Sequence, residues 1–411
     1  MVNLMMKKNE NRPGYKKTKV GWIPEEWEAV NGKDISKKIT KGSSPNWQGF
    51  DYQSDGVLFI TSENVRDGYL DISSPKFLPL EFNKKLKHSV LEEGDLLINI
   101  VGASIGRACK FSGSEWPANV NQAVCVLRCK TDVSYEFLLS YFQTSRAIDR
   151  LFSSQVESAR PNVSLTDIRD FPLPRPPFPE QKAIAGVLEC WDRGIRNLEL
   201  KIENKRRTKK GLMQRLLSGK TRLSGFSNDW KEKKIDEIFD VTRGQVLAVS
   251  KMQQNQNEKY CYPVYSSQTK SNGLTGYYTE HLYENAITWT TDGANAGDVK
   301  YRSGKFYCTN VCGVLLGEYT NQCIAEMLNM VSEKYVSYVG NPKLMNNVMA
   351  KIKITLPPLE EQQAIAKVLS AADGEIEVLE RKLATWKDQK KFLLNNLVTG
   401  SIRLPEFRTT N

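Results

Sequence analysis

The sequence predicts an α+β protein: two pseudo-twofold-related mixed α/β domains separated by two long helices, conserved between their two copies, that form an intramolecular antiparallel coiled coil. Three observations predict it. Residues 176–226 align without a gap to residues 357–407 at a constant offset of 181, with 22 of 51 positions identical. Fixed-period self-similarity sets the architecture, and this period is too long for a solenoid, so the repeating unit is a domain plus a helix. Within each copy the apolar residues keep a seven-residue register over nearly four heptads, the pattern of a coiled coil. The segments before each copy carry short apolar or alternating runs broken by Gly, Asn and Ser, which read as strands.

A chain of 411 residues with 40% hydrophobic residues has room for two or three domains, each with a core. No window approaches the ~18 uninterrupted apolar residues of a membrane span, and the basic start MVNLMMKKNENRPGYKK lacks the apolar stretch of a signal peptide. A cytoplasmic location is expected. In chain order the parts are a basic tail (1–19), a first domain (20–177), a first spacer helix (178–221), a second domain (222–356), a second spacer helix (357–404) and a short tail (405–411). The net charge of +11 is uneven: residues 1–20 carry +5, residues 193–222 carry +9, and the rest sums to −3. Basic character therefore belongs to the tail and one helical segment rather than to the domains.

The two domains share landmarks. Thr40-Lys41-Gly42 matches Thr242-Arg243-Gly244; the GAxxG element at 102–106 matches that at 293–297 at an offset of 191; Gly113, Asn119 and Val120 match Gly304, Asn310 and Val311. Each domain then closes with a helical stretch (SYEFLLSYFQTSRAIDRLF; NQCIAEMLNMVSEKYVSYV) and a final strand (RDFPLP; AKIKITL). The paired glycines of GAxxG read as a tight hairpin, because glycine tolerates positive φ. They also suit a loop that brings backbone close to a ligand surface, with Ser104, Arg107, Asn295 or Lys300 reaching out.

Each helix opens after a proline pair, Pro176-Pro177 and Pro357-Pro358, which disfavours helix in the residue before it. Glu180-Gln181 and Glu361-Gln362 follow in the first turn, where the macrodipole favours negative charge, and Gly219 and Gly400 stand where the helices stop. The apolar seam comprises Leu188, Trp191, Ile195, Leu198, Ile202, Leu212 and Leu216 in the first copy, and Leu369, Ile376, Leu379, Leu383, Trp386, Leu393 and Leu397 in the second. Lys205, Lys209 and Lys390 interrupt it. A helix of this length spans roughly 58 Å at ~1.5 Å per residue and needs a partner, for which the other copy is nearest. About 140 residues intervene between the helices, so an antiparallel pair would place one domain at each end of a rod, and a parallel pair would gather both at one end.

Catalytic signatures are absent. The sequence contains no HExxH and no NPPY; Gly102-Ala103-Ser104-Ile105-Gly106 matches GxSxG in letters but reads as a hairpin between strands rather than the strand-to-helix turn of a nucleophile elbow, and the SGKT at 218–221 lacks the first glycine of a phosphate loop. His88 and His281 lie in unrelated contexts. The close cysteine pairs Cys125/Cys129 and Cys308/Cys312 have only two histidines in the chain to help them, so reduced cysteines packed in strands are expected rather than a metal site.

Constant repeats enclosing two divergent domains, with PPLxEQxxIAxVL opening each helix and GxxRL after it, resemble the specificity subunit of type I restriction-modification systems. The strings TDGANAG and KFYCTNVCGVL add to the likeness, which covers nearly the whole chain; Phe178-Pro179 replaces the usual pair in the first copy, at a helix start that tolerates proline. The resemblance implies that each domain is a target recognition domain reading one half of a split double-stranded DNA site from the major groove. It implies that the helices fix the spacing and bind two modification subunits, which carry adenosylmethionine and methylate adenine flipped from the stack. Restriction subunits using ATP and Mg would complete the complex, and this chain itself would hold no cofactor and be no enzyme. A rod longer than one ~34 Å DNA turn fits half-sites with unread base pairs between them.

Candidate DNA contacts, by residue type and loop position, are Lys41, Ser43, Ser44, Asn64, Arg66, Ser104 and Arg107 in the first domain. In the second they are Arg243, Gln268, Lys270, Asn272, Asn295 and Lys300. The basic residues Arg206, Arg207, Lys209 and Lys210 could neutralise phosphates, meet an acidic face of a modification subunit, or form a solvated face. An alternative for the whole chain is a DNA-binding or scaffold protein that homodimerises through its coiled coil.

Overall fold

The computed structural model describes residues 9–153, 162–267 and 270–408, in two compact units: Met1–Asn197 with Leu383–Asn411, and Leu198–Lys382. In the first unit, strands Ser36–Lys41, Val124–Cys129, Leu96–Asn99 and Ala108–Lys110 form an antiparallel sheet in that spatial order. A second sheet joins Phe77–Leu78, Val57–Ile60 and Ala118–Val120. The central strands are covered on both faces, which is why they read as unbroken apolar runs. Leu96, Ile98, Cys125 and Leu127 face a core that includes Phe137, Tyr141, Ile184 and Leu188, whereas Leu97, Val124 and Val126 face the second sheet.

The first unit also holds a hairpin of Tyr15–Thr18 with Gly21–Pro24, whose first strand lies inside the segment expected to be a tail. The reason is packing: Val20, Ile23 and Trp27 are buried in the main core.

In the second unit one six-stranded sheet runs in the order Asp240–Arg243, Cys312–Leu316, Tyr283–Thr290, Val299–Cys308, Tyr262–Tyr265 and Leu274–Tyr278. Ile287, Trp289 and Leu315 pack on the helix Gln322–Ser332 and on Leu216, Ile365 and Leu369 of the long helices. In both units an early strand of the domain pairs with its last, Glu28–Asn31 with Pro172–Arg175 and Lys231–Lys234 with Lys353–Leu356. Each closing strand thus delivers the chain to a proline pair and then to a long helix.

The long helices are Phe178–Leu217 and Leu359–Leu397. Residues 178–197 lie antiparallel to residues 383–397 in the first unit, and residues 198–217 antiparallel to residues 359–382 in the second. All fourteen seam residues are buried or half-buried. The lysines that interrupt the seam have carboxylate partners: Lys209 Nζ lies 2.6 Å from Asp373, and Lys390 Nζ lies 2.5 Å from Asp192. These are one interaction repeated, since each member of the first pair is displaced by 181 residues from a member of the second. One layer differs. In the first unit the Trp191 and Trp386 rings meet edge-on at 5.9 Å, and a Cβ on Gly194 would stand 3.1 Å from Trp386. In the second, the positions equivalent to Trp386 and Gly194 are Lys205 and Glu375, an ion pair at 2.8 Å.

The Glu-Gln dipeptide that opens each helix has two structural tasks. Glu180 is fully buried and accepts from Trp27 Nε1 at 2.9 Å and from Arg403 Nε and Nη2 at 2.9 and 2.8 Å. Glu361 repeats this with Trp230 at 2.9 Å and Arg222 at 2.6 Å through both nitrogens. A buried carboxylate is tolerable here because a bidentate guanidinium and an indole N–H satisfy it. The neighbouring glutamines donate to the carbonyls of Pro176 and Pro357. Their oxygens accept from the N-cap residues of the domain helices, Gln181 from the Ser134 backbone and Gln362 from the Asn321 side chain, both at 2.9 Å.

Candidate nucleic-acid interface

Polar loops gather at one end of the main sheet in each unit. In the first, Gly42 follows the strand Ser36–Lys41, and an added Cβ would lie 1.6 Å from the Val120 carbonyl oxygen, so only glycine passes. Gly42 N donates to the Asn121 carbonyl, and Asn121 N donates to that of Ile60 at 2.9 Å. Beyond Ile60, the Ser62 carbonyl accepts from Asn99 Nδ2 at 2.9 Å, and the same nitrogen donates to Ser104 Oγ at 3.1 Å. Ser43, Ser44, Asn64, Arg66, Ser104 and Arg107 therefore sit on three neighbouring loops tied through Asn121 and Asn99, while Lys41, expected in a loop, ends the strand that leads into the first of them.

Their side chains are not equally available. Asn64 Oδ1 accepts from Thr61 N and Oγ1, and its Nδ2 donates to the Asp71 carbonyl, so this residue holds its own turn. Arg66 lies 3.5 Å from Asp71, and Ser43 Oγ accepts from Gln48 Nε2 at 3.0 Å. The Lys41 ammonium and Arg107 guanidinium have no hydrogen-bonding or ion-pair partner among the described residues. Asn99 Oδ1 and Gln122 Oε1 are buried acceptors without a partner among the described residues.

The second unit repeats the plan. Gly244 follows Asp240–Arg243, and a Cβ there would stand 2.2 Å from the Cys308 carbonyl oxygen. In the two GAxxG turns all four glycines have positive φ. Gly106 N donates to the Asn99 carbonyl at 3.0 Å, and Gly297 N to that of Thr290 at 2.9 Å; Arg107 N reaches the Ser104 carbonyl and Asp298 N that of Asn295, both at 3.1 Å. Other landmarks diverge: Asn119 lies in the strand Ala118–Val120, whereas Asn310 lies in the turn between Val299–Cys308 and Cys312–Leu316. The ten-residue strand that precedes Asn310 carries a register irregularity in its pairing with Tyr283–Thr290.

A strap of the chain closes over this end. Gly293 N donates to the Pro342 carbonyl, Leu344 N to that of Thr291 and Asn346 Nδ2 to that of Thr242. Arg243 is exposed and Asn295 half-buried on the adjoining loops. Lys300, expected in a loop, is the second residue of the strand Val299–Cys308 instead and pairs with Asp298 at 2.7 Å. Asn272 is exposed at φ 56 in the turn Lys270–Gly273, which the Ser266–Gly273 hydrogen bond closes. Gln268 lies outside the described residues, as does the side chain of Lys270.

Sequence reasoning missed Asn99, Asn121 and Gln122, whose signal was polar letters ending apolar strands. It also missed Arg302, which lies within a strand; its guanidinium sits 3.8 Å over the Tyr265 ring, its Nε donates to Thr288 Oγ1, and burial lowers its pKa.

Five cations of the basic segment are engaged within the second unit. Lys205, Arg206 and Lys209 pair with Glu375, Glu380 and Asp373, Arg222 pairs with Glu361, and Arg207 pairs with Glu203 one turn away. Pairing with the other helix is a use of this charge that composition does not reveal. Among the described residues no group of three or more His, Cys, Asp or Glu could hold a metal ion, and no helix is long and apolar enough to cross a membrane. Burial pushes the thiols of Cys109, Cys125, Cys129 and Cys323 up to about 12, leaving them inert as nucleophiles.

Comparison with known proteins agrees with this geometry. The chain is similar over 98% of its length to a Methanocaldococcus jannaschii protein named as the MjaX type I restriction enzyme specificity subunit, with 25% identity and 99% of that protein covered. It is 24% identical to the MjaVIII specificity subunit of the same organism, over 93% of this chain and 94% of that one. In fold it is similar to the type I restriction-modification S subunit from M. genitalium, with a TM-score of 0.59 at 15% identity, covering 90% of this chain and 96% of that one. The HsdS subunit from Thermoanaerobacter tengcongensis gives a TM-score of 0.52 at 16% identity, covering 92% and 98%. The family described as the type I restriction modification DNA specificity domain matches residues 24–205 and 227–385, so each match takes in one recognition domain and much of the helix after it; the chain belongs to that family.

Proposed function

We propose that this chain reads a bipartite duplex target, one half-site per recognition domain, while its paired helices seat two modification subunits. As a type I specificity subunit it is the DNA-recognition component of a restriction-modification complex and works with a methylase; it is not itself the enzyme. The observation that carries the bipartite reading is the repeated loop end, where a pinned glycine, a GAxxG turn and free cationic side chains recur in both units. Lys41, Arg107 and Arg243 have the donors to contact phosphate or guanine O6 and N7, and Asn295 or Gln122 those to contact adenine.

The modification subunits would supply adenosylmethionine and methylate an adenine extruded from the stack, and restriction subunits, when present, would use ATP and Mg. Homodimerisation through the helices gains no support, because seam lysines and carboxylates find each other within one chain. Mapping methylated adenines in the genome of the source cell by single-molecule sequencing tests the reading. Two short specific elements flanking an unspecified spacer are expected, and a continuous motif would overturn it.

A further inference from the structure

We infer that Trp47 in the first domain and Val249 in the second are matched apolar contacts to the bases of the duplex, one for each half-site. This rests on the DNA-reading function proposed above and assigns it residues that polarity alone would pass over. Trp47 is 76% exposed, the most exposed of the eight tryptophans, and Val249 is also 76% exposed. Both stand five residues after the pinned glycine of their domain, at a common offset of 202, although the loops share no other residue between those points. Two divergent domains thus place a large or branched apolar side chain in water at the same distance along the chain from the pinned glycine, each in a short helical turn.

The tryptophan is held there rather than left loose. Gly42 is fixed against Val120, Gly49 takes a left-handed φ of 78 as its N–H donates to the Asn46 carbonyl, and Phe50 N donates to that of Pro45. Phe50 then packs edge-on against buried Phe82 at 5.5 Å. A backbone fixed in this way has little conformational freedom to lose on binding, which is what a contact residue needs.

Charge selects the partner. Lys85 Nζ lies 2.9 Å from the Gln48 carbonyl and 5.6 Å over the Phe50 ring, and Lys41 opens the same loop; in the second domain Arg243 and Lys251 flank Val249. Cations beside an exposed apolar side chain match a groove floored by bases and walled by phosphates. A tryptophan can stack on or wedge beside a base step, and a valine can cover a thymine methyl.

The test uses the full chain in complex with its modification subunits, on duplexes carrying the mapped target. Trp47→Ala should weaken binding about tenfold, as loss of an aromatic–base contact does, with Trp47→Phe recovering most of it. The Trp47→Ala penalty should vanish on duplexes with one half-site scrambled, and that of Val249→Asp on duplexes with the other scrambled. Equal binding by Trp47→Ala and the parent chain on the intact target overturns the inference while leaving the function standing. So does a penalty independent of half-site sequence, or loss of modification subunits from the purified complex, which would make this a protein-docking surface. If the parent chain shows no preference for its target, the functional reading itself fails.

Discussion

Glu326 is a carboxylate held where its charge is disfavoured. Burial raises its pKa above the ordinary 4.5, Asp373 and Asp298 add to the rise, and Lys209 and Lys300 oppose it. The folded chain therefore holds this proton more tightly than the unfolded one. The associated stability is fully present below pH 4.5 and is lost as pH rises through the elevated folded value. Glu326→Gln should accordingly raise the melting temperature at pH 7, and the gain should shrink as the pH is lowered toward 4.5. Thermal unfolding of the full chain at several pH values measures it, and a gain independent of pH would show that desolvation is not the cause. Nothing in the sequence marks Glu326, because its environment is assembled from residues 298, 300, 209 and 373. The same holds for Glu180 and Glu361. Their position at a helix start was legible, but their arginine partners lie 223 and 139 residues away, and local pattern carries no information about such pairings.

At the scale of the element, the heptads were legible because a coiled-coil seam is a local periodicity, written along one helix. The direction of pairing is written in charge. In an antiparallel pair Lys209 meets Asp373 and Lys390 meets Asp192, whereas a parallel pair in the repeat register would set Lys209 against Lys390 and Asp192 against Asp373. Lys209→Asp alone should cost about 1–2 kcal/mol, given the partial exposure of Asp373. Adding Asp373→Lys should restore most of it, and a double-mutant cycle by denaturant unfolding gives the coupling. Purely additive losses would mean that the pair does not select the orientation. Strand order was not legible in either domain. Val57–Ile60 pairs in parallel with Ala118–Val120 across some sixty residues, and neither run differs in composition from the antiparallel strands beside it.

At the scale of the whole molecule, a net charge of +11 does not translate into a uniform affinity for DNA. In its densest part, residues 193–222, Lys205, Arg206, Arg207, Lys209 and Arg222 are paired with carboxylates, whereas Lys41, Arg107 and Arg243 at the loop ends have no ion-pair partner among the described residues. Each cation that displaces a counterion from duplex DNA contributes about 0.9 to the slope of log K against log salt. Two triple variants should therefore behave in opposite ways. Lys205→Gln with Arg206→Gln and Arg207→Gln should leave that slope unchanged while slightly lowering the melting temperature, because each change removes an exposed ion pair worth ~0.3–0.5 kcal/mol. Lys41→Gln with Arg107→Gln and Arg243→Gln should leave the melting temperature unchanged and reduce the slope by about 2.7. Binding titrations of both across a range of salt concentrations decide the matter. The reverse result would move the phosphate contacts from the recognition domains to the helices, and with them the part of the chain that holds the duplex.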